Sequence, residues 1–427
     1  MQGKLAIRGG PRTVPEGAAT RWPIIAKEDK QAVMDVLDRG ILSGVDGPEA
    51  TGLEKDFADF LGADHAIATG SGTSALHCAV FGAGVGPGDE VITSAFSFSA
   101  SFHAILMQNA IPVFVDIDPQ TYNIDVDQIE AKITDRTKAI LPVHIHGLPA
   151  EMDVIMNLAE KHNLGIIEDA CQAHGAEYKG RKVGTLGKAG AFSLNTTKNL
   201  PGGEGGIMVT ADDELLERAR QLRIFGEKIP EKEEKIRSYA VYGVGYQYRT
   251  QELPAAFARS QLKRLAAVNR NAQRNCTYFS TQLAEIPGIM PPHVPPDRTS
   301  IFHKYRIRFQ PDVLQLKMPA VEFRGRLLDA LQAEGVSVAI WHIDTLPAYP
   351  IFRQKEGWGR GCPWGCPHYG REISYRRDDY PETIRLLEES IIIGDEAFPL
   401  FIQSRELIEY YAAAIGKVLS NLNEILE

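Results

Sequence analysis

No stretch of the chain reaches the ~18 apolar residues that cross a bilayer, and the opening run MQGKLAIRGGPRTVPEG carries no apolar core of signal-peptide length. These absences set a cytoplasmic location, with no membrane partner, as the expectation. Cysteine is scarce: Cys78, Cys171, Cys276, Cys362 and Cys366 are all that 427 residues contain, which argues against a disulfide scaffold. Positive charge is in deficit, with 46 Lys and Arg against 55 Asp and Glu and a net charge of −9. A nucleic acid is therefore not an expected partner, although a local basic pocket remains open. The spacings GxGxxG and GxxxxGK[ST] are missing from the glycine-rich turn at Thr69, which disfavours dinucleotides and ATP. Cys362, Cys366 and His368 resemble half of a zinc site, but no second ligand pair lies nearby, and no metal is expected.

The apolar share of 44% and the charged share of 24% belong to an ordinary globular protein, and the length exceeds what one core usually fills. From about Ile25 to Arg223 helical and strand patterns alternate. Val33, Val36 and Leu37 mark a helix stopped by Gly40, and Leu53, Phe57, Phe60 and Leu61 mark another stopped by Gly62. HAIATG, VITSA, PVFVDI, AILPVHI, GIIEDA, AGAFSL and GIMVT read as short buried strands. The rhythm predicts an α/β fold with a mixed, mostly parallel sheet covered by helices. The charged run from Glu227 to Arg237 reads more readily as a solvated loop than as a substrate-recognition element, and a helix at Glu252 to Leu265 leads out of the large domain. Five prolines in PGIMPPHVPPD suit a connector, and KYRIRF with a helix at Val321 to Glu334 suggests a smaller α+β domain. The expected division is an N-terminal segment, 1–25, packing on the small domain, a large domain, 26–285, and a small C-terminal domain, 286–427.

Three segments carry chemistry. TGSGTSAL, Thr69 to Leu76, places a glycine turn before a helix start, where free N–H groups and the hydroxyls of Thr73 and Ser74 suit an anion. Read alone, it is equally a turn for tight strand-to-helix packing. IIEDACQAHG puts Glu168 and Asp169 at the carboxyl end of an apolar strand, on opposite faces if the strand is regular. A buried carboxylate there needs a cationic partner, such as a protonated pyridine nitrogen, unless it caps the next helix. AFSLNTTKNLPGGEGG sets Lys198 just past a buried strand, where a desolvated amine can form an imine, although read alone a surface lysine is the commoner explanation. Gly202, Gly203, Gly205 and Gly206 would allow close approach of backbone and cofactor.

In this order the segments resemble the DegT/DnrJ/StrS family of sugar and cyclitol aminotransferases, which use pyridoxal 5'-phosphate (PLP) on an aspartate-aminotransferase-like scaffold, fold type I. The resemblance runs from RWPII to the final helix, and the Lys198 segment with its GEGG is its most specific piece. It implies that Lys198 carries the cofactor as a Schiff base, that Asp169 pairs with the pyridine nitrogen, and that Gln172 lies near the ring hydroxyl. Gly72, Thr73 and Ser193 match phosphate-binding positions, and Phe98 matches an aromatic ring stacked on the pyridine, its alternative being a core residue. Two departures stand out: Gln247 in GYQYR occupies the place of an Asn that reaches the partner subunit's phosphate, and Ser97-Phe98 replaces a Thr-Phe pair.

The implied reaction moves the amine of glutamate or glutamine through pyridoxamine phosphate to a keto-sugar or keto-cyclitol, in a homodimer with shared sites. A dehydratase or an epimerase on the same fold, or a non-catalytic PLP-binding regulator, would also carry these motifs. Lys198 argues against the family dehydratases, which lack this lysine. WHIDTLPAYPIF with CPWGCP resembles the branch that aminates scyllo-inosose-type cyclitols, and nucleotide-linked keto-sugars stay open. The turn from Trp341 to Tyr369 holds only Arg353, Lys355 and Arg360 as cations, whereas His342, Asp344 and Tyr349 would suit a neutral polyol. His342 is a candidate substrate contact, and equally a structural His in a turn. His144 and His146 receive no role.

Overall fold

The structure, a computed structural model, describes residues 3–44, 47–228 and 239–426. Most of the charged run expected as a surface loop therefore lies outside the described residues. Two helices come first, α1 (Lys27–Arg39) and α2 (Pro48–Leu61), closed by left-handed glycines at Gly40 and Gly62. The alternating region follows: β1 (His65–Thr69), α3 (Gly72–Gly82), β2 (Glu90–Ser94), α4 (Ala100–Leu106), β3 (Ile111–Val115), β4 (Thr137–Leu141), α5 (Met152–His162) and β5 (Gly165–Asp169). A two-stranded ribbon, β6 (Glu177–Tyr178) and β7 (Arg181–Lys182), precedes β8 (Ala189–Ser193), β9 (Gly206–Thr210) and α6 (Asp213–Arg223).

The large sheet has seven strands in the order β1-β9-β8-β5-β4-β2-β3, and only β9 runs against its neighbours. Its strands are apolar on both faces because helices cover both. Ile166 and Ile207 pack with Phe57, Ile155 and Leu262, while Ile167 and Met208 pack with Leu76, Ile105 and Leu216. This alternation divides the end of β5: Glu168 shares the face of Ile166, and Asp169 shares that of Ile167.

Helix α7 (Glu252–Ala284) is 33 residues long and passes well beyond the expected stop at Leu265. The buried positions Leu265, Asn269, Ala272, Cys276, Phe279 and Leu283 keep helical spacing, but buried asparagines at 269 and 275 interrupt the apolar period. Asn269 Nδ2 donates to the His174 carbonyl (2.7 Å) and Asn275 Nδ2 to that of Gln403 (3.0 Å). Beyond α7, β10 (Ile289–Met290), β11 (Tyr305–Phe309), β12 (Val338–Ala339) and β13 (Ser390–Ile393) form an antiparallel sheet ordered β10-β11-β13-β12. Helices α8 (Ala320–Glu334) and α11 (Arg405–Ser420) pack on it, together with Leu5 and Val14 from the N-terminal segment. Between β12 and β13, α9 (Pro350–Gln354) and α10 (Pro381–Glu388) flank an aromatic cluster. In it Phe352, Trp364 and Tyr375 lie against Phe102 of α4 and Phe114 of β3.

Candidate active site

A cavity of about 620 Å³ opens where the carboxyl ends of β5 and β8 meet the start of α3. Ser71 caps α3: its hydroxyl accepts from Ser74 N (3.1 Å), and Ser74 Oγ accepts from Ser71 N (2.9 Å). The cap does not take up the first N–H groups, those of Gly72 and Thr73, and both residues line the cavity. Gly72 is glycine for room, because a Cβ there would meet Ser193 Cβ at 2.7 Å. Ser193 closes β8 beside it and also lines the cavity.

Lys198 sits in the loop between β8 and β9. Asn195 Oδ1 accepts from Thr197 N (3.0 Å) and Thr197 Oγ1 (2.9 Å), and Thr196 N donates to the Gly203 carbonyl (2.9 Å). Trp22 Nε1 ties the loop to the N-terminal segment by donating to Thr196 O (2.9 Å). Burial lowers the Lys198 pKa, opposed by the nearby Cys171, Asp169 and Glu396. The trailing glycines serve the chain more than a ligand: Gly203 and Gly205 adopt positive φ, and a Cβ on Gly206 would lie 2.2 Å from Ser71 O. Of Gly202, Gly203, Gly205 and Gly206 none lines this cavity, and Gly202 and Gly203 line the adjoining one, which shares Glu204 with it.

Of the two acids, Asp169 reaches the cavity and Glu168 does not. Glu168 is wholly buried and accepts from Gly184 N, Leu186 N and Gly187 N, each at 2.7 Å, and pairs with His144 Nε2 at 2.9 Å. Because His144 Nδ1 accepts from Ala150 N (3.1 Å), Nε2 carries the ring proton and donates to Glu168. Asp169 is 4% exposed. It accepts from Ser101 Oγ (2.7 Å), itself 2.8 Å from Ser97 Oγ, and from Cys171 N (3.2 Å). Among the described residues it has no ion-pair partner within 4 Å, so a buried carboxylate faces the cavity with no cation bound to it. A cationic ring N–H fits that place.

Gln172 lines the same wall, and its Oε1 accepts from His146 N (2.8 Å), which turns its amide N–H groups to the cavity. Phe98 is 54% exposed and lines the cavity, so it is not a core residue. Its ring centroid lies 6.4 Å from that of His342. His342 itself is not among the lining residues: it packs on Trp341 (3.9 Å between centroids), with Nδ1 3.3 Å from Tyr349 Oη. Asp344 is bound to Arg377 (3.0 Å). Gln247 is exposed, bridges to Ile224, and stays outside the cavity of its own chain.

Sequence reasoning missed several cavity residues: Arg21, Lys304, Trp341 and Glu396 line it, and Ser97 and Ser101 hold Asp169. Serines recurring in the otherwise apolar FSFSASFHAI, and cations alternating in KYRIRF, were the available signals. Cys362 and Cys366 are free thiols, and among the described residues no cluster of three or more His, Cys, Asp or Glu is placed to hold a metal. No helix of the described residues is long and apolar enough to cross a membrane.

The family model of the DegT/DnrJ/EryC1/StrS aminotransferases matches residues 23–373. The dTDP-3-amino-3,4,6-trideoxy-alpha-D-glucose transaminase of Streptomyces venezuelae is 38% identical over 325 residues, 76% of this chain and 78% of that one. A putative L-glutamine:3-amino-2,3-dideoxy-scyllo-inosose aminotransferase of Streptoalloteichus tenebrarius is 36% identical over 340 residues, 79% of each chain. The crystal structure of S. venezuelae DesV in complex with a ketimine intermediate superposes with a TM-score of 0.79. That match is 31% identical and covers 92% of this chain and 95% of that one.

Proposed function

The chain belongs to the DegT/DnrJ/EryC1/StrS aminotransferase family, and from that premise we propose that it moves the amino group of glutamate or glutamine to a keto-sugar or keto-cyclitol through Lys198. As a member it is a PLP-dependent aminotransferase of fold type I. The observation that carries the residue assignment is a single cavity shared by Lys198, the unpaired Asp169 and the capped start of α3.

In this reading Lys198 holds the cofactor through its amine, Asp169 faces the ring nitrogen and Gln172 the ring oxygen. Gly72, Thr73 and Ser193 hold the phosphate, and Phe98 covers the ring. Bound there, PLP supplies a carbonyl that accepts an amine and a protonated ring that takes up negative charge. Lys198 then serves as the base and acid at the substrate carbon that carries the nitrogen. Burial suits it to that task, because a lowered pKa leaves more neutral amine near pH 7. Ser101 and Ser97 fix the Asp169 carboxylate, and Trp22 and Asn195 hold the lysine loop.

The acceptor is proposed as a polyhydroxylated ketone. A free cyclitol would draw on His342, Asp344 and Tyr349, but His342 lies off the cavity wall and Asp344 is paired with Arg377. The scarcity of cations in the turn is also offset, since Arg21 and Lys304 reach the cavity from elsewhere in the chain. Arg21, the exposed one of the two, favours a nucleotide-linked sugar as the second reading. The test mixes the aminated enzyme with scyllo-inosose and with dTDP-linked 4-keto sugars and times the return of cofactor absorbance near ~420 nm. Return with either ketone supports the aminotransferase reading and selects the acceptor; no return with any polyhydroxylated ketone contradicts it.

The homodimer, the cytoplasmic location and the division at about residues 25 and 285 belong to the same proposal. Phe225, Val241, Tyr242 and Val244 are exposed beside GYQYR, which supports an interface there, with Gln247 serving a second copy's cofactor. Cys276, Phe279 and Leu283 lie in the small-domain cluster while Ala255, Leu262 and Leu265 of the same helix lie in the large one, which supports two domains joined through α7, with the change of core between Leu265 and Cys276.

A further inference from the structure

Strand β11 and the residue before it carry cations at alternate positions. Tyr305, Ile307 and Phe309 enter the small-domain core, which leaves Lys304, Arg306 and Arg308 on the other face. Arg308 is paired with Glu389 at 2.9 Å and donates to Pro119 O. Arg306 is wholly buried and donates to His146 Nε2 (3.1 Å), Ser390 Oγ (2.6 Å) and Trp341 O (3.0 Å). Lys304 alone of the three has no hydrogen bond or ion pair from its side chain among the described residues; its Nζ lies 5.4 Å from the centre of the Trp341 ring, on the cavity wall.

A largely buried ammonium without a counter-ion is costly, and this one faces further cations. Burial, Lys198 and Arg306 push its pKa down to about 8, and Glu396 and Asp395 only partly oppose them. Glu396 is exposed and not within ion-pair distance. The charge is therefore uncompensated until an anion arrives in the cavity that Lys198 shares.

We propose that Lys304 receives the α-carboxylate of the amino donor and is a specificity-determining residue of the donor half-reaction. This rests on the aminotransferase reading. An α-amino acid carries its carboxylate on the same carbon as the nitrogen that must reach the Lys198 position. The receptor must therefore line the Lys198 cavity; besides Lys198 the cations that do are Arg21, which is exposed, and Lys304, the inner one. A neutral polyol ketone offers nothing for this charge.

Two measurements test it on the holoenzyme, with Lys304→Met removing the charge and Lys304→Arg keeping it. Glutarate, which has carboxylates and no amine, is titrated calorimetrically; Lys304→Met should bind it about tenfold more weakly and Lys304→Arg within about threefold of wild type. Equal binding by wild type and Lys304→Met overturns the proposal. Stopped-flow loss of cofactor absorbance with L-glutamate should fall about tenfold in kcat/KM for Lys304→Met, while return with the accepted ketone stays within about twofold. Loss confined to the ketone step, or equal loss in both, overturns the donor assignment. If wild type reacts with no amino acid, the aminotransferase reading fails, and the glutarate titration still decides whether Lys304 is a carboxylate receptor.

Discussion

Glu168 and Asp169 are adjacent carboxylates with opposite work. Glu168 anchors the turn from Gly184 to Gly187 and the end of β4 through His144, while Asp169 faces the cavity on two serines. Glu168→Gln would set an amide NH2 group against backbone donors in a dry site, and about 3 kcal/mol of stability should be lost. Asp169→Asn should keep the wild-type melting temperature but lose about ten- to a hundredfold in turnover, equivalent to roughly 1.5–3 kcal/mol for one charged hydrogen bond. Melting curves and kcat on both variants check the pair; turnover by Asp169→Asn within about twofold of wild type would move the ring's partner elsewhere. That the two acids part was legible from strand alternation. Which of them reaches the cavity was not, because the answer depends on α3 and α4 covering one face of the sheet while α5 and α7 cover the other. Lys304 was hidden for a similar reason: alternation shows the stripe of cations, and only the docking of the two sheets shows where it points.

At the scale of elements, the cofactor cradle depends on how tightly the start of α3 approaches β8 and β9. Gly206 stands opposite Thr69 in the β1–β9 register and passes directly under Ser71, so an added methyl would press on the backbone that presents the Gly72 and Thr73 N–H groups. Gly206→Ala should weaken PLP retention about tenfold or more, since overpacking of this kind costs about 1–3 kcal/mol. Equilibrium dialysis followed by absorbance measures it, and unchanged retention would mean that α3 is not the phosphate site. The strands themselves were legible because short β-branched runs between glycines leave few other readings. Helix α7 was read too short because Asn269 and Asn275 are buried for their hydrogen bonds, and hydropathy alone registers them as surface.

On the scale of the whole molecule, several imidazoles are buried neutral. Burial lowers the pKa of His77 to about 4, of His174 to about 3 and of His342 to about 4. Unfolded histidine takes up its proton near 6.5, so below that pH the unfolded chain binds more protons and stability falls as pH drops toward about 4. Each such histidine contributes up to about 1.4 kcal/mol per pH unit, and the melting temperature should decline clearly from pH 7 to pH 5; a flat profile would show these rings charged or exposed. The dimer is tested by Val244→Asp, which puts a charge on a side chain 73% exposed in the single chain. Light scattering should give a monomer with little turnover, whereas a fully active monomer would remove the shared site. The central claim, that Lys198 holds the cofactor, is tested most directly by borohydride reduction of the holoenzyme followed by peptide mapping. The account predicts the reduced pyridoxyl group on Lys198 alone, in the peptide containing LNTTKNLPGG; the label on Lys304 or any other lysine would contradict it.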